Sequence, residues 1–291
     1  MDAPTRVLVT GADGKIGRAV VRDLAERGVQ VTGLSREWTG GSHADRLVTG
    51  DATIEADVAR ALEGVDAVVH LAALAHRDAG APYEVYRINT DATFNVLAQA
   101  GQRGIGRAVV ASSINAFGVP MNRRPLLPAY FPIDEEIPQA LDDWYSLSKR
   151  SDELTAEMVA SHWDMTVIAI RFPYVGTPEQ VREHAAQAHG QQIREGWSYL
   201  DLRDAAAAVL AALTAPVTGA HVIGVSAPDT YRREPTAELL ARHAADVPVK
   251  VPVTGRAALI DTTRARELLG FTAQHTAAVP ELAAAAPEES A

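Results

Sequence analysis

A doubly wound α/β fold, with a parallel sheet covered by helices on both faces and a small C-terminal substrate lobe, is what this sequence predicts. Two features carry the prediction. Short continuous apolar runs alternate with helical periodicity along most of the 291 residues, as expected of strands buried on both faces and joined by helical crossovers. A glycine-rich turn, "TGADGKIG", joins the first apolar run to the first helical stretch.

In chain order, Arg6–Thr10 ("RVLVT") reads as a buried strand. Lys15–Arg27 reads as a helix that turns Ile16, Val20 and Leu24 inward and is closed by Gly28. Strand runs recur at Val29–Leu34, Arg46–Gly50, Val65–Leu71, Arg107–Ser112, Met165–Arg171 and Ala220–Val225. Helical patterns occupy Glu55–Leu62, Tyr83–Ala100, Asp143–His162 and Leu202–Leu213, and no internal repeat is visible. Pro120–Asp142 is proline-rich and aperiodic, the character of an active-site loop. After Val225 the pattern changes to short helices at Thr236–His243 and Thr262–Leu269 around a "VPVKVPV" strand. The predicted division is therefore residues 1–171 as a cofactor-binding domain, its sheet completed by 201–225, with 172–200 and 226–291 as the lobe. The closing "AAAAPEESA" is expected to fray.

Hydrophobic residues make up 47% and charged residues 22% of the chain, ordinary for a globular enzyme. A net charge of -10 argues against nucleic acid or anionic membrane as the main partner. There is no cysteine, which excludes disulfides, thiol nucleophiles and thiolate metal sites. No metal site is expected. No apolar run is long enough to span a bilayer. "MDAPTRVLVTG" enters a strand pattern directly, without the look of a signal peptide, so a cytoplasmic location is expected.

The glycine turn narrows the function. Gly11 permits a tight turn, Gly14 lets the backbone approach a pyrophosphate, and Gly17 lets the helix pack on the strand. The helix N-terminus then faces the anion with free N–H groups. Between strand and helix, this is the signature of a Rossmann-type dinucleotide site. The second strand ends where the adenosine ribose lies. A site for NAD usually offers a carboxylate there, but Ser35 and Arg36 follow Leu34 here, and an arginine suits a 2′-phosphate. A solvated loop arginine is the alternative. Asp51, after the third strand, either accepts from the adenine amino group or caps the following helix. Farther on, "WYSLSK" places Tyr145 and Lys149 four residues apart on one helix face, a proton donor and a cation to tune it if a cofactor lies beside them.

Taken in order, the glycine loop, "HLAA" (His70–Ala73), Asn89, "SSINAFG" (Ser112–Gly118) and "YSLSK" resemble the extended short-chain dehydrogenase/reductase family, which includes nucleotide-sugar epimerases, dehydratases and reductases. The resemblance covers most of the chain. It implies Tyr145 as the acid/base, Lys149 as the group that holds the nicotinamide ribose and lowers the tyrosine pKa, and Ser113 as the hydroxyl that binds the reacting oxygen. Ser112 is the neighbour that could be confused with it; strand alternation points the two to opposite sides, and the spacing to Gly118 favours Ser113. The cofactor-binding set that it implies is Gly11, Asp13, Gly14, Lys15, Ile16, Gly17, Ser35, Arg36, Asp51, Ala52, Leu71, Ala72, Ala73, Asn89, Tyr145, Lys149 and Phe172. NADP is the preferred cofactor, with NAD as the alternative.

Departures from the family pattern narrow the reaction. Sugar 4,6-dehydratases carry an Asp-Glu pair after the serine position; Ile114 and Asn115 stand here and cannot serve as acid and base for elimination. "RFPYVGTP" (Arg171–Pro178) replaces the usual Asn-x-Tyr-Gly, and a short polar stretch, Thr177–Glu195, stands where nucleotide-sugar enzymes insert a nucleotide-gripping hairpin. That shortening resembles uronate dehydrogenases, although Asn115 stands where those enzymes have a histidine. Arg182 or Arg194 could meet a substrate carboxylate, or both could be surface arginines. His76, Ser113, Asn115 and Tyr174 are the expected substrate contacts.

The expected activity is hydride transfer between NADP(H) and a carbonyl or secondary alcohol of a small sugar, sugar acid or natural-product ketone. A nucleotide-sugar epimerase with tightly held NAD, and a non-catalytic cofactor-sensing regulator, are the alternatives. A homodimer would form through the helices near 83–100 and 143–162.

Overall fold

A computed structural model describes residues 3–187 and 190–277. Its elements run β1 (Arg6–Thr10), α1 (Lys15–Glu26), β2 (Gln30–Ser35), β3 (Arg46–Thr49), α2 (Glu55–Ala61), β4 (Ala67–His70), α3 (Pro82–Gln102), β5 (Arg107–Ser113) and α4 (Trp144–Trp163). They continue as β6 (Thr166–Phe172), β7 (Tyr174–Gly176), α5 (Pro178–Ala186), β8 (Tyr199–Asp201), α6 (Leu202–Thr214), β9 (Ala220–Gly224), α7 (Thr236–His243) and α8 (Thr263–Leu269). The "AAAAPEESA" tail lies outside the described residues.

Seven strands form one parallel sheet in the order β3-β2-β1-β4-β5-β6-β9. Alternation along each strand feeds two cores. Val7 and Val9 of β1 face one side with Val20 and Leu24 of α1 and Val209 and Leu213 of α6. Leu8 faces the other side with Val58 of α2, Val96 and Leu97 of α3 and Val159 of α4. Strand order reverses between β1 and β4, so a crevice opens beyond their carboxyl ends. A third cluster, with Phe117, Phe131, Trp197, Tyr199, Tyr231 and Leu259, lies apart from both. It draws on residues 114–137 as well as on the C-terminal segments expected to form the lobe.

Two local expectations need correction. "VPVKVPV" is not a strand. Pro248 and Pro252 have no N–H to give a ladder, and the segment is reduced to one bridge, Val249 opposite Phe131, held by Lys250 N donating to Phe131 O at 2.7 Å and Phe131 N to Pro248 O at 2.9 Å. The stretch after Gly176 is not featureless either. Thr177 and Gln180 close a capping box around Pro178 and start α5. β7 pairs in parallel with β8, so among the described residues no hairpin stands between them. Among the described residues no helix is long and apolar enough to cross a membrane, and no group of three or more metal-binding side chains forms.

Candidate active site

At the crevice, Gly11 adopts φ +64°, and a Cβ there would stand 2.8 Å from Ala72 N. A Cβ on Gly17 would collide with the Gly11 carbonyl. Gly14 caps α1 without any side-chain bond, so the first N–H groups of the helix are left for a ligand. Only a side-chain-free backbone fits this close approach of loop, helix and β4 end, and the cradle suits a pyrophosphate.

Three cavities adjoin there. The first, about 370 Å³, is lined by Gly11, Asp13, Gly14, Ser35, Arg36, Glu37, Asp51, Ala52, Leu71, Ala72 and Ala73 among others. The second, about 500 Å³, is lined by Gly11, Gly14, Lys15, Ile16, Gly17, Leu71, Ala73, His76, Ser113, Asn115, Tyr145, Lys149, Phe172 and Tyr174 among others. It shares Gly11, Gly14, Leu71 and Ala73 with the first. The third, about 450 Å³, shares His76, Asn115, Met121 and Glu195 with the second and nothing with the first.

In the first cavity Arg36 is exposed and has no partner among the described residues, whereas Arg18 nearby is committed to Asp13 and Thr39. The Thr39 backbone N–H, with its hydroxyl and the Arg18 guanidinium, holds the Asp13 carboxyl below the usual range. Asp51 does not cap α2, whose cap is Ile54; one oxygen accepts from Thr53 N and Oγ1, both at 2.8 Å. Glu37, which sequence reasoning passed over, also lines this cavity; its place one residue after Arg36 was the available signal.

In the second cavity α4 begins at Asp143, whose carboxylate accepts from Ser146 N at 2.9 Å. Trp144 Nε1 donates to Arg77 O at 2.7 Å and pins the first turn. One turn apart, Tyr145 is 5% and Lys149 4% exposed. Lys149 Nζ donates to Ala111 O at 2.9 Å and to Asp152 Oδ2 at 3.1 Å. Burial works against its charge, but Asp152 and Tyr145 outweigh burial and hold the ammonium above its usual range. Asp152 itself is pushed up by burial against the pull of Lys149. This buried partner was missed from sequence; its signal was an acid three residues after the lysine. His70 sits between Thr10 Oγ1 (2.8 Å) and Thr93 Oγ1 (3.2 Å), pushed down to about 3 by burial and by the nearby Lys149, and is neutral.

The two serines of β5 part ways. Ser112 Oγ donates to Glu153 Oε1 at 2.7 Å, inside a network with Arg171. Ser113 Oγ accepts from Asn115 Nδ2 at 3.0 Å and from Asn115 N at 3.2 Å. Asn89 lines none of the three cavities. Its amide bonds both polar groups of Leu74 and Ser148 Oγ, bracing the loop after β4 against α4. Lys15 Nζ reaches Val175 O at 3.1 Å and is lowered by burial. Tyr174, raised by burial, stacks on His184 at 4.0 Å. Arg182 pairs with Glu179 on α5 and lines none of the three cavities. Arg194 is buried and lines the third. A phenol and a hydroxyl facing one cavity, with a buried ammonium a turn behind the phenol, can pass a proton to or from a carbonyl or alcohol oxygen.

A profile of the NAD dependent epimerase/dehydratase family matches residues 7–226. An L-arabinose 1-dehydrogenase (NAD(P)(+)) of Haloferax volcanii is 32% identical over 183 residues, 61% of this chain and 70% of that one. A UDP-glucose 4-epimerase of Corynebacterium glutamicum is 23% identical over 310 aligned positions, 93% of this chain and 92% of that one. A short-chain dehydrogenase/reductase superfamily protein of Agrobacterium tumefaciens, solved with bound NAD, superposes with a TM-score of 0.70 at 24% identity over 93% of both chains, a likeness of fold.

Proposed function

The chain belongs to the NAD dependent epimerase/dehydratase family and is an NAD(P)-dependent enzyme of the extended short-chain dehydrogenase/reductase type; within that family we propose an NADP(H)-dependent oxidoreductase acting on a compact substrate that carries no nucleotide. The observation behind this reading is the row of three cavities, with Ser113 and Tyr145 in the middle one and a short helix in place of a hairpin between β7 and β8.

The first cavity would take the adenosine and the glycine cradle the pyrophosphate. Lys149 would bind the ribose beside Tyr145. The nicotinamide, when bound, gives or takes the hydride. Ser113 would orient the substrate oxygen, with Asn115 holding the Ser113 hydroxyl. Tyr145 would exchange the proton with that oxygen, and Asp152 would keep the Lys149 side chain in place. Residues 1–171 with 201–225 would hold the cofactor, and the remainder would shape the substrate end. A homodimer through α3 and α4 would cover Tyr83, Phe94, Leu147, Leu154 and Met158, all of which are exposed.

The NADP preference rests on Arg36, which has no partner among the described residues. A charge-assisted bond to the 2′-phosphate contributes about 1.5–3 kcal/mol, so NADPH should bind roughly tenfold to a hundredfold more tightly than NADH. Arg36→Ala should remove most of that difference while NADH affinity stays put. A fluorescence titration in which the wild type binds NADH as well as NADPH would end this assignment; Glu37 would then be the ribose ligand.

The match to the UDP-glucose 4-epimerase over nearly the whole chain favours a second reading, an epimerase that retains its cofactor. Protein that is purified with stoichiometric NAD and does not consume free cofactor would support it. A screen of carbonyl compounds, sugars and sugar acids that consumes NADPH or reduces NADP supports the oxidoreductase.

A further inference from the structure

The third cavity is built differently from the other two. Three loops converge on it: the one after β4 with His76 and Arg77, the turn Val119–Met121 after β5, and the turn Gly190–Glu195 before β8. Two arginines are anchored on consecutive carbonyls of the middle loop. Arg77 Nη1 donates to Met121 O at 2.6 Å, and Arg194 Nη1 donates to Asn122 O at 2.9 Å.

Arg194 is only 7% exposed, and Asn122 O is its sole hydrogen-bond partner among the described residues. No carboxylate lies within ion-pair distance of it among those residues. A guanidinium carries five N–H donors. Burying it without a counter-ion is costly unless a ligand supplies the anion.

The other charged groups facing the cavity do not fill that role. His76 leans on Asp78 at 3.3 Å, outside the cavity lining. Arg77 adds a second cation, with its nearest acid, Asp78, 3.7 Å away. Among the described residues Glu195 is the one carboxylate in the lining. Its Oε1 already accepts from Tyr231 OH at 3.3 Å and lies 3.9 Å from His184 Nε2. Among the described residues the lining therefore has an excess of positive charge, on side chains that the backbone holds in place.

Its position gives the cation a purpose. The cavity opens into the one that holds Ser113 and Tyr145 and shares nothing with the one assigned to the adenosine. An anion here would belong to the substrate, on the side away from the cofactor phosphates. We propose that Arg194, assisted by Arg77, binds an oxyanion carried by the substrate, a carboxylate or a phosphoryl group remote from the reacting carbon. The inference rests on the oxidoreductase reading for the identity of the reacting end, but not for the binding of the anion.

Binding and turnover are measured separately, with purified enzyme loaded with NADP. The probes are glucuronate, glucose 6-phosphate and glucose, and the corresponding galactose series. Calorimetry should show at least one anionic sugar bound about tenfold or more tightly than its neutral parent, the scale of one charge-assisted pair. A carboxylate-bearing substrate is indicated if the uronate wins and a phosphoryl-bearing one if the phosphate wins. Arg194→Met should abolish the difference and leave NADPH affinity unchanged. Arg194→Lys, which keeps the charge but loses the planar fork, should retain part of it and serves as the test if the methionine variant does not fold. Where turnover is seen, the loss should fall on KM more than on kcat. A wild type that binds both anionic sugars no better than the neutral ones overturns the proposal, as does a preference that survives both Arg194 substitutions. Consumption of NADPH with neutral carbonyl compounds alone sinks this inference and spares the oxidoreductase. Arg194-dependent anion binding without any cofactor consumption does the reverse.

Discussion

Tyr145→Phe should lower turnover by at least about a hundredfold, the usual contribution of a general acid–base group. The substitution deletes one oxygen from a ring that is 5% exposed, so the packing of α4 is kept. The phenolic proton one turn from Lys149 is lost with it. Ser113 cannot take over. Its hydroxyl is engaged with Asn115 and has no base behind it. His70 is neutral, held between two threonines, and lines none of the three cavities. Cofactor affinity should survive. Steady-state kinetics checks this, and turnover within tenfold of the wild type would mean that another group carries the proton.

Lys149→Met should have two effects. Turnover and cofactor affinity should both fall, because the ammonium that would bind the ribose is gone. Stability should fall too. The Lys149–Asp152 pair is buried on both sides, at 5% and 1% side-chain exposure, and breaking such a pair by removing one partner costs about 3–5 kcal/mol. The cost should depend on pH. Burial already raises the Asp152 carboxyl in the native protein, and Lys149, with a smaller share from Thr93, restrains it. Without Lys149 the folded value rises further above the unfolded one, near 4. A carboxyl of that kind favours the folded state while protonated, so its contribution is full below about pH 4. It is lost progressively as pH climbs through the raised folded value. Denaturant melts should therefore show the variant losing ground to the wild type as pH rises from acid to neutral. Adding Asp152→Asn removes the stranded charge. The double variant should regain most of the stability and none of the activity. Recovery of both would show that Lys149 serves the fold alone.

The sheet was largely legible in the sequence because its central strands, β1, β4, β5 and β6, are runs buried almost throughout on both faces, and β1 stands where "RVLVT" placed it. The cap at Asp143 and the spacing of Tyr145 and Lys149 made α4 legible as well. α5 was not. Val181 is its only buried residue, so there is no apolar stripe to read, and its capping box, the one sequence signal of a helix start, went unread. The small β7–β8 pair has three residues a side and no periodicity to detect. "VPVKVPV" misled because β-branched residues suggested a strand while two prolines removed its donors. Within the site, Ser113, Asn115, Tyr145, Lys149 and Tyr174 do meet at one cavity. Asp152 and the paired anchoring of Arg77 and Arg194 went unread, since both depend on contacts that spacing alone does not encode.

Free nucleotides should distinguish an oxidoreductase with a compact substrate from a nucleotide-sugar enzyme. In such an enzyme the handle far from the reacting carbon supplies much of the binding energy that positions the reaction. Among the described residues, α5 and a short turn stand where a gripping hairpin would be, and the third cavity is lined by His76, Arg77, Asn115, Pro120, Met121, Asn122, Gln192, Arg194 and Glu195, without a phenylalanine, tyrosine or tryptophan to stack a base. Isothermal titration of the NADP-loaded protein with UDP, TDP and GDP tests this without knowledge of the substrate. Dissociation constants near a millimolar, about -4 kcal/mol, are expected. A micromolar constant for any of the three would contradict the compact substrate and make the enzyme a nucleotide-sugar epimerase.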